Sequence, residues 1–154
     1  MPISGAGGGP IEFVSMLNSG TFVSGMTDAS HDRMPDDVLI VEDDTIIALD
    51  LEDTILGFGV KTVRIAGNVT RALEMIADRP PDFALLDVGL VREKSFAVAE
   101  QLDALQIPFA FVTGYGAYVG LPTAFAQKPR LSKPCASDAL AALLKRWSIH
   151  RDRR

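Results

Sequence analysis

Residues 38–44 read Val-Leu-Ile-Val-Glu-Asp-Asp, four apolar residues followed at once by three acids. A short apolar run of this kind is typical of a strand that is buried on both faces of a parallel sheet. The next stretch, residues 44–56, places apolar side chains at helical spacing, with Ile47, Leu51 and Ile55 on one stripe. The sequence therefore predicts a strand that leads directly into an amphipathic helix.

The same alternation of strand and helix recurs along the rest of the chain. Further strands are predicted at residues 61–66, 83–86, 109–112 and, more weakly, 129–132. Gly57 and Gly59 end the first helix, and later helices are expected to begin at the N-cap residues Asn68, Ser95 and Ser137. In the segment 114–127, Pro122 and three glycines favour only a short or irregular helix. Five strands alternating with five helices predict an α/β fold, a doubly wound and mostly parallel sheet with right-handed crossovers.

Residues 1–36 differ from this pattern. Gly5 and the run Gly7 to Gly9 come early, and a polar run covers residues 28–37. Glycine is costly to order and the polar run has little to bury, so we expect a flexible N-terminal arm. An arm that pairs with a second subunit is the alternative, and a homodimer stays open. The domain is then predicted at residues 37–150, followed by a basic tail at 151–154.

Composition excludes several classes of protein. The 154 residues are 47% hydrophobic and 23% charged, which is ordinary for one globular domain. We expect a cytoplasmic protein with no membrane partner, because no apolar run is long enough to span a bilayer and the start does not resemble a secretion signal. The net charge of −5 argues against nucleic acid as the main partner. The single cysteine, Cys135, excludes an internal disulfide.

Polar side chains follow four of the five predicted strands. These are Glu42, Asp43 and Asp44 after the first strand, Asp87 after the third, Thr113 after the fourth and Lys133 after the fifth. In doubly wound sheets, ligands bind beyond the carboxyl ends of the strands, where the strand order reverses. We therefore expect these side chains to converge at one edge of the sheet.

The residue types in this group suit phosphoryl transfer to a carboxylate. Several carboxylates in one pocket repel each other and need a cation, and oxygen ligands without His or Cys suit Mg²⁺. A carboxylate such as Asp87 can attack phosphorus and form an acyl phosphate. The magnesium ion and Lys133 would balance the charge on the phosphoryl oxygens, and the Thr113 hydroxyl can donate a hydrogen bond to one of them.

Each residue also has a purely structural explanation when it is taken alone. Acids after a strand often only stabilise the start of the next helix through its dipole. A single Asp, Thr or Lys at a strand end can be a turn residue, a structural hydroxyl or a solvated charge. Together, in this order at four strand ends, they favour a functional site.

Four short segments resemble the receiver domains of bacterial two-component response regulators. They are residues 38–44, Leu-Leu-Asp at 85–87, Val-Thr-Gly at 112–114 and Ser-Lys-Pro at 132–134. The resemblance covers residues from about 37 to 148. It implies a flavodoxin-like receiver fold whose five parallel strands have the order 2-1-3-4-5.

The resemblance also implies a role for each site residue. Asp87 would be the phosphoacceptor and a metal ligand, Asp43 would bind Mg²⁺ directly, and Glu42 would act mostly through metal-bound water. The backbone carbonyl of Gly89 would complete the protein ligands, whereas Asp44 is not expected to bind the metal.

Thr113 and Lys133 would contact the phosphoryl group, but two other positions depart from the family pattern. Val91 stands where many receivers have a proline, and Arg130 replaces the aromatic residue expected on the fifth strand. The usual coupling between Thr113 and that aromatic residue is therefore not expected here.

A narrower resemblance rests on residues 108–116, Pro-Phe-Ala-Phe-Val-Thr-Gly-Tyr-Gly, with Glu-Lys-Ser at 93–95. These segments look like those of stand-alone alphaproteobacterial receivers with a Phe-x-Thr-Gly-Tyr motif, some of which act in general stress signalling. In such a site, Gly89 and Tyr115 would line the path of attacking water. We expect the Tyr115 ring to shield the acyl phosphate and slow its hydrolysis.

The function that follows is a single-domain response regulator in a phosphorelay. Only seven residues follow Trp147, so we expect no output domain after the last helix. A sensor histidine kinase or a histidine phosphotransfer protein would phosphorylate Asp87, and the signal would pass to an unknown downstream protein. The chain would not be an enzyme beyond magnesium-dependent self-phosphorylation and slow autodephosphorylation.

Three alternatives stay open at this stage. The chain could be a phosphate sink, or a pseudo-receiver that binds partners without being phosphorylated. It could also be an aspartate-nucleophile phosphohydrolase, but such enzymes usually carry a second acid two residues after the nucleophile. Gly89 occupies that position.

Overall fold

The computed structural model describes residues 33–90, 94–114 and 122–152, with side chains up to Trp147. Almost all of the predicted arm, residues 1–36, lies outside these ranges, so the arm and its boundary with the domain stay predictions. Val91, Glu93 and Tyr115 also lie outside the described residues. Within the described ranges, no helix combines the length and the apolar character needed to cross a membrane.

Five parallel strands form one sheet. They are β1 (Asp37–Val41), β2 (Thr62–Ala66), β3 (Phe83–Asp87), β4 (Phe109–Thr113) and β5 (Arg130–Ser132). The strand order is β2-β1-β3-β4-β5, which confirms the predicted doubly wound sheet and its order. Every residue of β3 and β4 is buried because helices cover both faces of the sheet.

Four α-helices connect and cover the strands in the described part of the chain. They are α1 (Thr45–Gly57), α2 (Val69–Asp78), α3 (Phe96–Ala104) and α4 (Ser137–Asp152). The expectation of a fifth helix fell on residues 114–127, of which 115–121 are not described. The described part holds only a 3₁₀ turn, Thr123–Phe125, which follows Pro122 in extended conformation. This short turn agrees with the irregular helix that Pro122 predicts.

Asn68 caps α2 as the sequence predicts, whereas the cap of α1, Asp44, was not predicted. The Asp44 Oδ1 atom accepts hydrogen bonds from the backbone N–H groups of Ile46 and Ile47, and Asn68 accepts one from Arg71 at 2.8 Å. At the far end of α1 the left-handed residue is Gly59, with φ of +99°. These bonds fix where α1 and α2 begin relative to the strands that precede them.

Two predicted N-caps were wrong in detail. Ser95 precedes α3, but its fully buried side chain makes no capping bond, because its backbone ψ of 16° is not the extended conformation of a capping residue. Ser137 is the first residue inside α4, and the Ala136 carbonyl accepts the bond from the Leu140 N–H. Both helices nevertheless begin at the predicted places.

The core has one part on each face of the sheet. Beneath α2 and α3 lies an aromatic group whose ring centroids are 5.6–6.3 Å apart, formed by Phe96, Phe109, Phe111 and Phe125. Beneath α1 and α4 lies a mostly aliphatic layer that includes Ile55 and Leu85, together with the fully buried Trp147. The packed faces hold the strands in register and leave the two ends of the sheet for polar side chains.

Ion pairs join the elements near the amino end of the sheet. Arg64 of β2 binds both carboxylate oxygens of Asp37 at 3.1 Å, and Arg79 Nε donates to the same carboxylate at 3.0 Å. The Arg64 guanidinium also donates to the backbone carbonyls of Met75 and Arg79 at the end of α2. The Met75 carbonyl also accepts the Arg79 N–H, so the guanidinium adds a second bond there and gives the Arg79 carbonyl, just past the helix, a partner.

Asp82, just before β3, completes this group. Its Oδ2 atom accepts the backbone N–H groups of Asp36 and Asp37, each at 3.1 Å. We refer to Asp37, Arg64, Arg79 and Asp82 as the amino-end network. Its two acids and two bases balance, which marks it as a structural element.

Candidate functional site

The carboxyl ends of the strands bring several of the predicted site residues together. Lys133, just after β5, places its Nζ atom 2.8 Å from Glu42 Oε1 and 3.2 Å from Asp87 Oδ2. Glu42 follows β1 and Asp87 ends β3, so the lysine reaches across β3 and β4 to both acids. The convergence arises because parallel neighbouring strands all end at the same edge.

Three acids form a group that could hold a metal ion. Glu42, Asp43 and Asp87 each offer one carboxylate oxygen, and these oxygens all lie within 4.8 Å of one another. We call these three residues the acid cluster. Glu42 and Asp87 are only 3% and 5% exposed, and Asp43 is half-buried. Glu42 and Asp87 share one lysine, which leaves negative charge in excess, and the three carboxylate oxygens of the cluster are a donor set that suits Mg²⁺.

Local backbone bonds hold the acids in place. The Asp44 N–H donates to Glu42 Oε2 at 3.1 Å, and the Gly89 N–H donates to Asp87 Oδ1 at the same distance. The Glu42 N–H bonds to the Ala66 carbonyl of β2, which fixes the chain just after β1. The side chain of Asp44 caps α1 and does not belong to the acid cluster.

Gly89 lies beside Asp87, and the bond that the structure shows comes from the Gly89 N–H. That its carbonyl binds a metal stays a prediction. The N–H contact was not predicted, and an Asp-x-Gly turn after a strand is the signal that could have suggested it.

Thr113 ends β4 and is buried, but its hydroxyl does not donate to an acid of the cluster. The Oγ1 atom donates to the Leu131 carbonyl of β5 at 3.4 Å, a long bond. The Lys133 N–H donates to the Thr113 carbonyl at 2.8 Å, which continues the pairing of β4 with β5. Thr113 is therefore linked to Lys133 through the backbone.

Burial and charge shift the pKa values of two site groups. Burial raises the pKa of Glu42 from 4.5 to about 7; Lys133 lowers it, but less strongly, and the charge of Asp87 adds to the rise. For Lys133, burial lowers the pKa, but the hydrogen bond to Glu42 and the charge of Asp87 outweigh it, so the pKa lies above 10.5. Lys133 therefore stays charged, whereas ionisation of the buried Glu42 carboxyl group costs free energy.

Two further residues near the site have contacts or surroundings that the sequence did not predict. Arg130 begins β5, and its Nη2 atom donates to the Ala126 carbonyl at 2.6 Å, so this residue ties the turn before β5 instead of presenting an aromatic ring. Cys135 is half-buried two residues after Lys133, and burial raises the pKa of its thiol. The Arg130 bond depends on the shape of the turn before β5, and the pKa shift of Cys135 depends on burial, so residue spacing reveals neither.

Comparisons with known proteins agree with this architecture. No family model matches the chain. The transcriptional regulatory protein PdtaR of Mycobacterium tuberculosis is 28% identical over 127 residues, which cover 82% of this chain and 58% of PdtaR. The chain thus spans less than two thirds of this curated relative.

Two solved structures are also similar to this chain. The crystal structure of the response regulator PhyR from Brucella abortus is 25% identical, with a TM-score of 0.66 over 81% of this chain and 53% of that one. The solution structure of SdrG from Sphingomonas melonis Fr1 is 42% identical, with a TM-score of 0.61 over 70% of this chain and 95% of SdrG. On the identity and coverage shared with SdrG, and the sheet shared with these regulators, the chain belongs to the receiver-domain family of response regulators.

Proposed function

We propose that this chain is a phosphorylated receiver that takes up a phosphoryl group on Asp87 in a magnesium-dependent reaction. The observation that carries the proposal is the position of the Asp87 carboxylate. It is buried, lies 3.2 Å from the Lys133 ammonium and shares the acid cluster with Glu42 and Asp43. A buried carboxylate beside a cation and two further acids has little structural purpose and suits phosphoryl transfer.

The reaction exchanges one bond to phosphorus for another. An Asp87 oxygen would attack the phosphorus of a phosphohistidine or of a small acyl phosphate, and the bond to the imidazole nitrogen or to the carboxylate leaving group would break. The Gly89 N–H already orients the Asp87 carboxylate through Oδ1. This bond limits rotation of the side chain before attack.

The acid cluster would hold Mg²⁺, which supplies positive charge to the phosphoryl oxygens when it is bound. Asp43 and Asp87 would bind it directly, Glu42 mostly through water, and the Gly89 carbonyl would complete the protein ligands. Lys133 is 22% exposed, so its ammonium can reach an incoming phosphoryl group while it stays near Asp87. The Thr113 hydroxyl can exchange its long bond to Leu131 for a phosphoryl oxygen.

The partners that fit this chemistry are a sensor histidine kinase or a histidine phosphotransfer protein as donor and a second protein as target. The motif at residues 108–116 supports placement among stand-alone alphaproteobacterial receivers. Tyr115 lies outside the described residues, so its role in shielding the acyl phosphate is part of this proposal. An unchanged dephosphorylation rate in Tyr115→Ala would contradict that role.

A comparison of two neighbouring acids tests the acceptor. The full chain is incubated with Mg²⁺ and acetyl phosphate, and intact-mass spectrometry then measures the added phosphoryl group. We expect the wild type and Asp44→Asn to be labelled and Asp87→Asn not to be labelled. Asp44 is the matched control because it belongs to the same edge of the sheet but caps α1.

Three outcomes would contradict the proposal. Absence of labelling in the wild type would support a pseudo-receiver, and labelling that survives Asp87→Asn would place the acceptor elsewhere. Rapid, sustained release of inorganic phosphate would indicate a hydrolase. If labelling succeeds, a phosphotransfer profile against the kinases of the same organism then identifies the donor.

A further inference from the structure

A groove lies beside α4 at the end of the sheet opposite to the acid cluster. It has a volume of about 360 Å³ and is lined by the first residues of β3 and β4, by the segment before β5 and by the later turns of α4. We call it the α4 groove. Its volume is near the lower end of the range for ligand pockets, about 300–1,000 Å³. This size suits one large side chain with its neighbours better than a bulky cofactor.

The floor of the α4 groove is apolar and closely packed. It is formed by four side chains of which none is more than 6% exposed, namely Phe83, Phe109, Leu143 and Trp147. These side chains belong to the two parts of the core, so their positions are fixed by packing within the domain. The floor therefore does not have to form when a ligand arrives.

Two prolines add an apolar wall to the groove. Pro108 directly precedes β4, and Pro129 directly precedes β5. Neither has a backbone N–H. The Pro108 carbonyl accepts the Ala84 N–H at 3.2 Å, and the Pro129 carbonyl accepts the Phe111 N–H at 2.9 Å. Since these carbonyls already have partners in the sheet, the wall favours an apolar group as its ligand.

The rim of the groove is charged, with one acid and two bases. The Lys128 Nζ atom lies 2.8 Å from Asp103 Oδ1 and 5.0 Å from the centroid of the Phe109 ring. Arg146 is exposed on α4, and within the described part of the chain its guanidinium makes no ion pair and no hydrogen bond. The rim thus carries one positive charge in excess on a chain whose net charge is −5. A negative group attached to an apolar body complements this surface.

We propose that the α4 groove is a docking site for a short acidic segment of a partner protein. One aromatic or large aliphatic side chain of that segment enters the groove, and a neighbouring carboxylate pairs with Arg146. The apolar contact supplies most of the affinity, because an exposed ion pair contributes little. The ion pair selects acidic segments over basic ones.

The surface beside the groove favours a chain segment over a small anion. Ala124 lines the groove, and with Ala126 it forms an exposed strip of small side chains on which a backbone can lie closely. Arg146 is exposed at the rim, outside the buried floor. An occupant that contacts the floor, the strip and Arg146 together has to extend across the surface, as a peptide does. The proposal does not depend on the chemistry at Asp87, and its failure would leave that chemistry intact.

Titration of the ¹⁵N-labelled full chain with three short peptides tests the groove. The probe is Glu-Asp-Phe-Asp-Glu with blocked ends; the second peptide has Ala in place of Phe, and the third has Lys in place of each acid. We expect saturable changes in amide chemical shift at residues 124–128 and 143–147 with the probe alone. Absence of these changes, or equal binding of the probe and either control peptide, overturns the proposal.

Two charge variants test the contribution of Arg146. Arg146→Glu should weaken binding of the probe about fivefold or more, because an attractive pair becomes a repulsive one. Lys61→Glu makes the same change in net charge at an exposed base just before β2, at the far edge of the sheet from β5. Its effect should be less than about twofold, since distant charges are screened. Equal effects of the two variants overturn the assignment of Arg146.

Two tryptophan variants test the groove itself. Ala124→Trp should block the groove and abolish binding of the probe, whereas Ala139→Trp, an exposed position in the first turn of α4, should leave binding unchanged. Circular dichroism of each variant verifies that the fold is kept. Binding that survives in folded Ala124→Trp, or that is lost equally in Ala139→Trp, overturns the proposal.

The same measurements distinguish two other occupants. Phenylacetate, a small aromatic anion, should bind at least about tenfold more weakly than the probe, because it cannot reach the exposed strip. Sedimentation of the full chain should be the same for the wild type and Arg146→Glu. Equal binding of phenylacetate would assign the groove to a small anion, and a dimer that Arg146→Glu dissociates would assign it to a second copy. Either result overturns the proposal.

Discussion

The two ends of the sheet each hold four charged side chains. At the amino end acids and bases are equal in number, whereas at the carboxyl end acids outnumber bases. The amino-end network has two acids and two bases, and good hydrogen bonds satisfy each of them. At the carboxyl end, two buried acids of the cluster, Glu42 and Asp87, share one lysine, Lys133. Negative charge is therefore left over where the acids are most buried.

This difference separates a structural group from a functional one. A balanced network gains stability from every contact and is damaged by the loss of any central member. A buried excess of one charge costs stability and persists where a ligand compensates it. The two ends should therefore respond in opposite ways to mutation, pH and magnesium.

The largest effect is expected at the amino end. Asp37→Ala leaves Arg64 and Arg79 close together without a carboxylate, and the side chains of Asp37 and Arg64 are each only 14% exposed. We expect a loss of about 3 kcal/mol in the free energy of unfolding, measured with urea. Asp87→Asn, the matched change at the carboxyl end, should be neutral or stabilising.

For labelling with acetyl phosphate, the substitution at the carboxyl end should have the larger effect. Folded Asp37→Ala should still take up the phosphoryl group, whereas Asp87→Asn should not. A loss of stability that is larger for Asp87→Asn than for Asp37→Ala would remove the distinction between the two ends.

A pH titration should reveal the cost of the acid cluster. The raised pKa of Glu42 means that, between pH 4.5 and about 7, the folded protein holds a proton that the unfolded chain has released. The free energy of unfolding without metal should therefore fall as pH rises through this window, by about 3 kcal/mol from this group.

Glu42→Gln is the control for this titration, since the amide does not titrate. The difference between the variant and the wild type should grow in favour of the variant from pH 4.5 to about 7 and then level off. A constant difference across this range would show that Glu42 is ionised throughout.

Bound Mg²⁺ should offset the free energy that it costs to keep the acid cluster ionised. At ten times its dissociation constant and pH 8, Mg²⁺ should stabilise the wild type by about 1.4 kcal/mol. Asp43→Asn should lose most of this gain, and Asp44→Asn should keep it because Asp44 caps α1. Calorimetric unfolding with and without Mg²⁺ measures both, and equal losses in the two variants would contradict the assignment of ligands.

The smallest effect is expected at the edge of the amino-end network. The Arg79 side chain is 57% exposed, so its pair with Asp37 is well solvated. Arg79→Ala should cost about 0.5 kcal/mol, far less than Asp37→Ala, by the same urea measurement. A cost close to that of Asp37→Ala would show that the network acts as one unit, with Arg79 at its centre.

The sequence predicts one end of the sheet far better than the other. Strand ends are local features, so the order of Glu42, Asp87, Thr113 and Lys133 along the chain already indicates a shared edge. The amino-end network was not predicted, because Asp37 and Arg64 are 27 residues apart and Arg64 reads only as one residue of an alternating strand. Pairing between distant side chains depends on tertiary packing, which periodicity does not contain.

The same limit applies to details of the site. The position of Thr113 at the end of β4 was predicted, but the direction of its hydroxyl toward Leu131 was not. Likewise Ser95 was correctly placed before α3, but its side chain does not cap the helix. The residue type sets which hydrogen bonds a side chain can make, and backbone geometry decides with which partner it makes them.

The short length of β5 has a consequence for how the domain opens. β5 has three residues and pairs with β4 alone, whereas the other edge strand, β2, has five and is tied to α2 and β1 through Arg64. Amide hydrogens of β5 should therefore exchange with solvent through small local fluctuations, well before those of β3. Lys133 follows this weakly protected strand, so brief fraying of one edge would withdraw the ammonium from Asp87 while the rest of the molecule stays folded.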